Sequence, residues 1–169
     1  LDFEAVLAGD EGNDISVALA EGVAASGVIT GSVGKLTFVA DDNGVAGNSI
    51  QVILEDGETA GSETVSVVDS VITVGIESGV STAAQIKTAL DGDVDAAALI
   101  DTTATIAGAM EADSVTLSGG VDDVSAGSEV VEVVGNDITV RIESGVSTAA
   151  QIKAALDADE DAAALIETT

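Results

Sequence analysis

Residues 72–103 read ITVGIESGVSTAAQIKTALDGDVDAAALIDTT, and residues 138–169 read ITVRIESGVSTAAQIKAALDADEDAAALIETT; the 32-residue stretch recurs at an offset of 66 with five substitutions. Upstream, LDFEAVLAGDEGNDISVALAEG from Leu1 aligns more loosely with LTFVADDNGVAGNSIQVILEDG from Leu36, an offset of 35. The two share a Phe, a Gly-Asn pair and an alternating apolar run. The chain therefore carries two kinds of half-module, a front and a back, each present twice. Because the offsets differ, the order along the chain is front, front, back, back. Residues 36–123 read as a complete module, and 1–35 and 124–169 are the orphan front and back. Two arrangements satisfy this order. The orphans can pair within one chain, so that the complete module is inserted into a loop of an outer one, or the orphan back of one subunit can complete the front of its neighbour in a head-to-tail polymer.

Local patterns predict strands with one main helix per back. Ile15, Val17 and Leu19 alternate, as do Ile50, Val52 and Leu54, giving each front a strand with one apolar face. Val65 and Val67 followed by Ile72, Val74 and Ile76 predict a hairpin. The copy has Val131 and Val133, then Ile138, Val140 and Ile142, with Gly135-Asn136 as a turn tolerant of positive φ. Thr82 with Gln85 and Thr148 with Gln151 have the spacing of a capping box, predicting helices near 82–91 and 148–157. Their apolar faces are Ala83, Ile86, Ala89 and Leu90, and Ala149, Ile152, Ala155 and Leu156. Ser114 to Leu117 before Gly119-Gly120 predict a closing strand in the complete module. The second back, read through Thr169, shows no counterpart to it, and an open sheet edge recruits partners. The expected fold class is α+β, mainly β: duplicated strand-rich modules, each with a hairpin and a short helix packed on an antiparallel sheet.

Composition narrows the function. Thirty-one Asp and Glu face only Lys35, Lys87, Lys153 and Arg141, for a formal net charge of −27. Nucleic acid is excluded as a partner, because binding it requires basic groups that replace counterions on the phosphates. The same sign argument excludes an anionic membrane surface, and no apolar run is long enough for a membrane span. Self-repulsion at this charge is relieved where salt is high, since the Debye length falls to about 3 Å at molar ionic strength. The charge suits a saline or divalent-rich setting, or equally serves to keep a self-associating protein soluble. Phe3 and Phe38 are the only aromatic residues, so stability must come from sheet packing, repetition or contacts between subunits. Without Cys there are no disulfides or thiolate metal sites.

Catalysis needs a poised acid, base or nucleophile, and His, Cys and Tyr are all absent. Ser81 with Lys87 and Ser147 with Lys153 lie on different faces of a helix start. Paired carboxylates would lack a Trp or Tyr on which to stack a sugar. The expectation is a chain that is not an enzyme and has no cofactor. The one metal candidate is weak calcium binding at Asp91, Asp93 and Asp95 and at Asp157, Asp159 and Asp161. Their spacing opens like an EF-hand loop, which then requires Gly at position six and Glu at twelve; Ala96 and Thr102, and Ala162 and Thr168, stand there. Asp95 and Asp161 are instead expected to cap a following helical turn. Glu77 and Glu143 read as exposed turn residues. GVAGN at 44–48 and GDEGN at 9–13 read as strand-entry turns, since no Lys and helix follow.

The F-x-A segment at 38–40, the G-x-x-G-N-x-I run at 44–50, ITV at 72–74, GVSTAAQIK at 79–87 and L-x-G-G-x-D at 117–122 together resemble a repeat module of tailed-phage structural proteins, tail sheath proteins and related virion or surface proteins among them. The resemblance covers most of the chain and implies a building block of a tube, shell or fibre, in a virion or outside the cell. Sheath proteins carry a large assembly core besides such modules. Nothing corresponds to that core here, so the resemblance implies a smaller tail, decoration or filament subunit whose partners are copies of itself and other virion or surface proteins. The interface expected between orphan halves comprises Phe3, Ile15, Val17, Leu19, Ile138, Val140, Arg141 and Ile142, with Arg141 in an ion pair between subunits. An adhesin-like or carbohydrate-binding module of a larger surface protein is the alternative.

Overall fold

The computed structural model describes residues 1–6 and 14–169. The chain forms two compact units, an inner one at Val23–Asp122 and an outer one made of Leu1–Gly22 and Asp123–Thr169. The orphan halves thus pair within the chain. The boundary is shifted from the sequence reading: the inner unit begins at Val23 and not Leu36, because Ala24–Thr30 forms a strand antiparallel to Gly34–Asn43. This strand lies outside the stretch that repeats, so self-comparison did not reveal it.

In the outer unit, β1 (Phe3–Ala5) and β2 (Ser16–Ala20) come from the front. The inner unit contributes β3 (Ala24–Thr30), β4 (Gly34–Asn43), a short 3-10 helix (Val45–Ser49) and β5 (Gln51–Asp56). Next come β6 (Thr64–Val68), β7 (Val71–Ile76), α1 (Ala83–Gly92), α2 (Val94–Ala97), β8 (Ile100–Ala107) and β9 (Asp113–Thr116). The outer unit resumes with β10 (Val130–Val134), β11 (Asp137–Arg141), α3 (Ala149–Ala158), α4 (Glu160–Leu165) and β12 (Ile166–Thr168). The protein is α+β and mainly β, with strands in 44% and helices in 22% of the described residues.

The inner sheets run β3-β4-β8 and β6-β7-β5-β9, and the outer ones β1-β12 and β10-β11-β2. One detail departs from an all-antiparallel expectation. β5 pairs parallel with β7, and β2 parallel with β11. The hairpin explains this: β6 reverses the chain after β5 and β7 reverses it again, so β7 enters beside β5 in the same direction. The two hairpins close through two-residue turns, with Asp69 (φ 55°) and Gly135 (φ 63°) in the left-handed region that such turns require.

The units share one register. Phe38 faces Thr102 and Ala40 faces Ile100 across β4 and β8, as Phe3 faces Thr168 and Ala5 faces Ile166 across β1 and β12. Gln51 lies beside Val71 as Ser16 lies beside Asp137. Insertion of a whole module is accommodated because the inner unit's ends meet: Val23 and Val121 exchange backbone hydrogen bonds of 2.9 and 2.8 Å. The loop of residues 57–63 between β5 and β6 is the inner counterpart of the point where the outer unit accepts the insertion.

Both main helices begin with a complete capping box, Thr82 with Gln85 and Thr148 with Gln151. The second turns are capped two residues earlier than the sequence suggests. Asp93 accepts from the amides of Asp95 and Ala96, and Asp159 from that of Ala162, while Asp95 and Asp161 occupy the first turn. There a carboxylate still meets the favourable end of the helix dipole.

Eighteen buried apolar residues form the inner core and six the outer core among the described residues. Burying a Val, Leu, Ile or Phe side chain contributes roughly 1.5–3 kcal/mol, so the outer unit is the weaker. Urea unfolding followed by backbone NMR is expected to show two transitions, with amides of β10, β11 and α3 lost before those of β4, β5 and β7. A single coincident transition would contradict two separately stabilised units.

Candidate functional site: an open sheet edge in the outer unit

Equivalent strands of the two units are closed differently. β5 has neighbours on both sides, parallel β7 and antiparallel β9, whereas β2 pairs with β11 alone among the described residues. The Ser16 amide donates to Asn136 O at 3.0 Å, directing β2's even-numbered amides toward β11. Alternation along a strand then turns the N–H and C=O groups of Val17 and Leu19 to the opposite, unpaired side. No Pro, bulge or charged residue interrupts SVALA, so β2 has none of the usual devices that block an edge.

Apolar side chains around this edge differ in the same sense. Leu54 is 2% exposed and its counterpart Leu19 is 53% exposed; Phe38 is fully buried and Phe3 is 42% exposed. Ala83 is buried at the start of α1, and Ala149 is exposed at the start of α3. In the inner unit one continuous segment after β8 makes the difference. The Ala83 amide donates to Gly108 O at 2.9 Å, Met110 N donates to Ser81 O at 2.9 Å, and the Gly79 amide donates to Met110 O at 2.8 Å. The segment then runs along β5 as β9 and donates from Leu117 N to Ile50 O at 2.9 Å. Met110 and Leu117 are buried in the core. Asn48 fastens its end in both directions, accepting from Gly120 N at 2.8 Å and donating to Gly120 O at 3.1 Å. The counterpart of this loop, GDEGN at 9–13, falls outside the described residues.

The residues expected at the joint of the orphan halves lie in the outer unit. Ile138 and Val140 are buried in its core, with Ile15, Val17 and Ile142 packed against it. Arg141 reaches Glu132 of its own hairpin at 3.4 Å. Of the eight, Phe3 and Leu19 are the large apolar residues left exposed. Pairing within the chain uses one side of β2, and among the described residues no strand pairs with the other.

The acidic runs have separate local partners. Lys87 pairs with Asp91 at 2.6 Å and Lys153 with Asp157 at 3.0 Å, while Asp93 and Asp159 are caps. The Thr168 hydroxyl and Lys153 hold the Asp157 carboxyl below its ordinary range. Among the described residues, no three acidic side chains gather in a metal-binding group. The Ser-Lys pairs also separate, since Ser81 and Ser147 donate to Glu63 and Glu129 at 2.6 and 2.7 Å.

Those last contacts belong to a duplicated latch that sequence reading missed. Ala-Gly-Ser-Glu at 60–63 recurs at 126–129, again 66 residues on, and would have extended the repeat upstream. Ser81 Oγ accepts from the Glu77 amide at 3.0 Å while donating to Glu63, and Glu63 also accepts from the Gly61 amide. Glu77 is not a free turn residue: its carboxylate accepts from the Ala60 amide at 2.9 Å, as Glu143 does from Ala126 at 2.8 Å. Burial pushes the Glu63 carboxyl up, but the Ser81 hydroxyl and Gly61 amide outweigh it and hold it below its ordinary value. The Ser147 hydroxyl and Gly127 amide lower Glu129 likewise. The latch ties the loop before each hairpin to the start of the helix, which fixes the layer on which the edge strands depend.

Among the described residues no helix is long and apolar enough to cross a membrane. No known protein family, curated protein or solved structure matches the chain.

Proposed function

We propose that this protein is a non-enzymatic structural building block that assembles by strand complementation, as a tail, decoration or filament subunit of a virion or of an extracellular fibre. The observation that carries the reading is the uneven closure of two copies of one module. The inner copy is sealed on both sides of its central strand, and among the described residues the outer copy's strand of the same register is paired on one side alone. Exposed strands of this kind form joints in which backbone hydrogen bonds set the register and apolar side chains supply affinity. The setting in a virion or fibre is drawn from the repeat's resemblance to the tailed-phage module.

Charge tunes such a joint. At −27, copies repel at low ionic strength, and added salt weakens that repulsion. Negative-stain electron microscopy of the purified chain is expected to show dispersed particles at low salt and regular filaments, tubes or rings in molar salt, with calcium as a further variable. Dispersed monomers in every condition would contradict self-assembly.

A further inference from the structure

We propose that the outward face of the β3-β4-β8 sheet docks on the same face of a second copy, about a two-fold axis that sets Lys35 of each copy against Asp41 of the other. Leu36, Phe38 and Ala40 of β4 point into the core, so Lys35, Thr37, Val39 and Asp41 form one row on the opposite face. Pairing puts Val28 beside Thr37 on one flank of the row, and Ile106 beside Lys35 and Asp101 beside Val39 on the other. Val28, Val39 and Ile106 are exposed among the described residues. Of the four basic side chains, Lys87, Arg141 and Lys153 each have an ion pair and Lys35 has none among the described residues.

The two copies of the module show that the fold does not require this face to be apolar. LTFVA at 36–40 corresponds to LDFEA at 1–5, so Thr37 and Val39 stand where the outer unit has the acidic Asp2 and Glu4. In that unit Glu4 lies beside Glu167, at the positions of Val39 and Asp101. A chain of net charge −27 repels its own copies across acidic surfaces of that kind. The inner face instead has a row with a cation at one end, a carboxylate at the other and uncharged residues between them. Reversed, such a row is complementary to itself: a two-fold axis beside Phe38 brings Lys35 onto Asp41 at both ends and Val39 onto Thr37 of the second copy. A basic partner would find more attraction on the acidic face of the outer unit, and an acidic one is opposed by Asp41 and Asp101, so charge selects a second copy. Three strands about 4.8 Å apart and about six residue steps long span roughly 15 by 20 Å, well below the about 800 Å² per partner of a standard interface. The contact is therefore weak, and most effective between subunits that a second joint already holds together. It does not rest on the strand joint proposed above.

The test is an NMR dilution series of the whole chain up to millimolar concentration, near physiological ionic strength. There a Debye length of about 8 Å leaves a contact pair effective and damps repulsion between distant carboxylates. Amide shifts at Val28, Thr37, Val39 and Ile106 are expected to follow one dimerisation curve. Val39→Glu installs the residue that the outer unit already holds at this position, and should weaken the dimer by at least about tenfold, since each copy then brings a charge into the contact. Lys35→Asp and Asp41→Lys should each weaken it by about threefold or more. The double variant reverses the row and keeps it self-complementary, so it should dimerise within about twofold of wild type. Unchanged amide shifts in β5 and β7 report that each variant is folded. Shifts independent of concentration at the four amides, a dimer indifferent to Val39→Glu, or a double variant as weak as either single one would overturn the proposal. Filaments formed by a chain whose four amides never respond to concentration would refute this face and leave strand-linked assembly standing. Dimers through this face in a chain that never forms filaments would support the face and refute strand-linked assembly.

Discussion

Replacing Phe38 by Ala is expected to cost the inner unit about 3–5 kcal/mol, the range for truncating a buried aromatic, whereas Phe3→Ala should cost the outer unit no more than about 1 kcal/mol. The residues occupy one position of one module: each begins an F-x-A segment and each faces a Thr in the pairing with the strand that follows the back's helices. Their exposures, 0% and 42%, separate them. β3 and β9 pack in the neighbourhood of Phe38, and no counterpart of either strand lies by Phe3 among the described residues. Urea unfolding monitored unit by unit measures both costs. Equal costs would mean that the outer unit is closed in solution as fully as the inner one.

Ser81→Ala should destabilise the inner unit by about 1.5–3 kcal/mol at neutral pH, the usual range for hydrogen bonds to a charged group. The hydroxyl is fully buried, and removing it leaves both the Glu77 amide and the Glu63 carboxylate short of a partner. The loss should depend on pH. Because the Glu63 carboxyl is held below its ordinary value in the folded state, its contribution is complete above that value and disappears as pH falls through the lowered folded pKa. The difference between wild type and Ser81→Ala should therefore be constant from neutrality to about pH 5 and shrink below about pH 4. Ser147→Ala should follow the same profile with a smaller amplitude, because Ser147 is half-exposed. Denaturation midpoints of the four proteins across pH, including the Ser81/Ser147 double variant, provide the check. A pH-independent cost would assign the loss to packing and not to the latch.

The repeat in the sequence made much of this fold legible. Thr82 and Gln85 announced a helix that begins at Ala83, and alternation at Val65, Val67, Ile72 and Val74 announced a hairpin whose turn lies between them. The offsets of 35 and 66 already contained the nested arrangement as one of two solutions. Three features were hidden for physical reasons. β3 was invisible to self-comparison because its sequence, AASGVIT, has no second copy in the chain. The parallel pairing of β5 with β7 depends on which side of the hairpin meets the front strand, and an alternating pattern has no sign for that. Capping by Asp93 instead of Asp95 is a difference of two residues in where the second helical turn starts, and each of the three Asp residues is chemically fit for the role.

The candidate site was legible only in part. The residues assigned to the joint lie in the outer unit, where β2 and β11 pair. Sequence left open whether the halves are completed within the chain or by a neighbour, because the same strand pattern serves both. Among the described residues the unpaired edge is the far side of β2, where Leu19 and the start of α3 become the informative positions.

Amide hydrogen exchange on the dilute monomer tests the central claim, a sealed module nested in an open one, most directly. The account predicts that Val52 and Leu54 exchange with the slowest amides of the inner core. It also predicts that Ser16 and Ala18, which face β11, are protected to the level of the outer unit, and that Val17 and Leu19 exchange at least about tenfold faster than those two neighbours. Protection at Val17 and Leu19 equal to that at Ser16 and Ala18 would contradict it, because the outer edge would then already be paired.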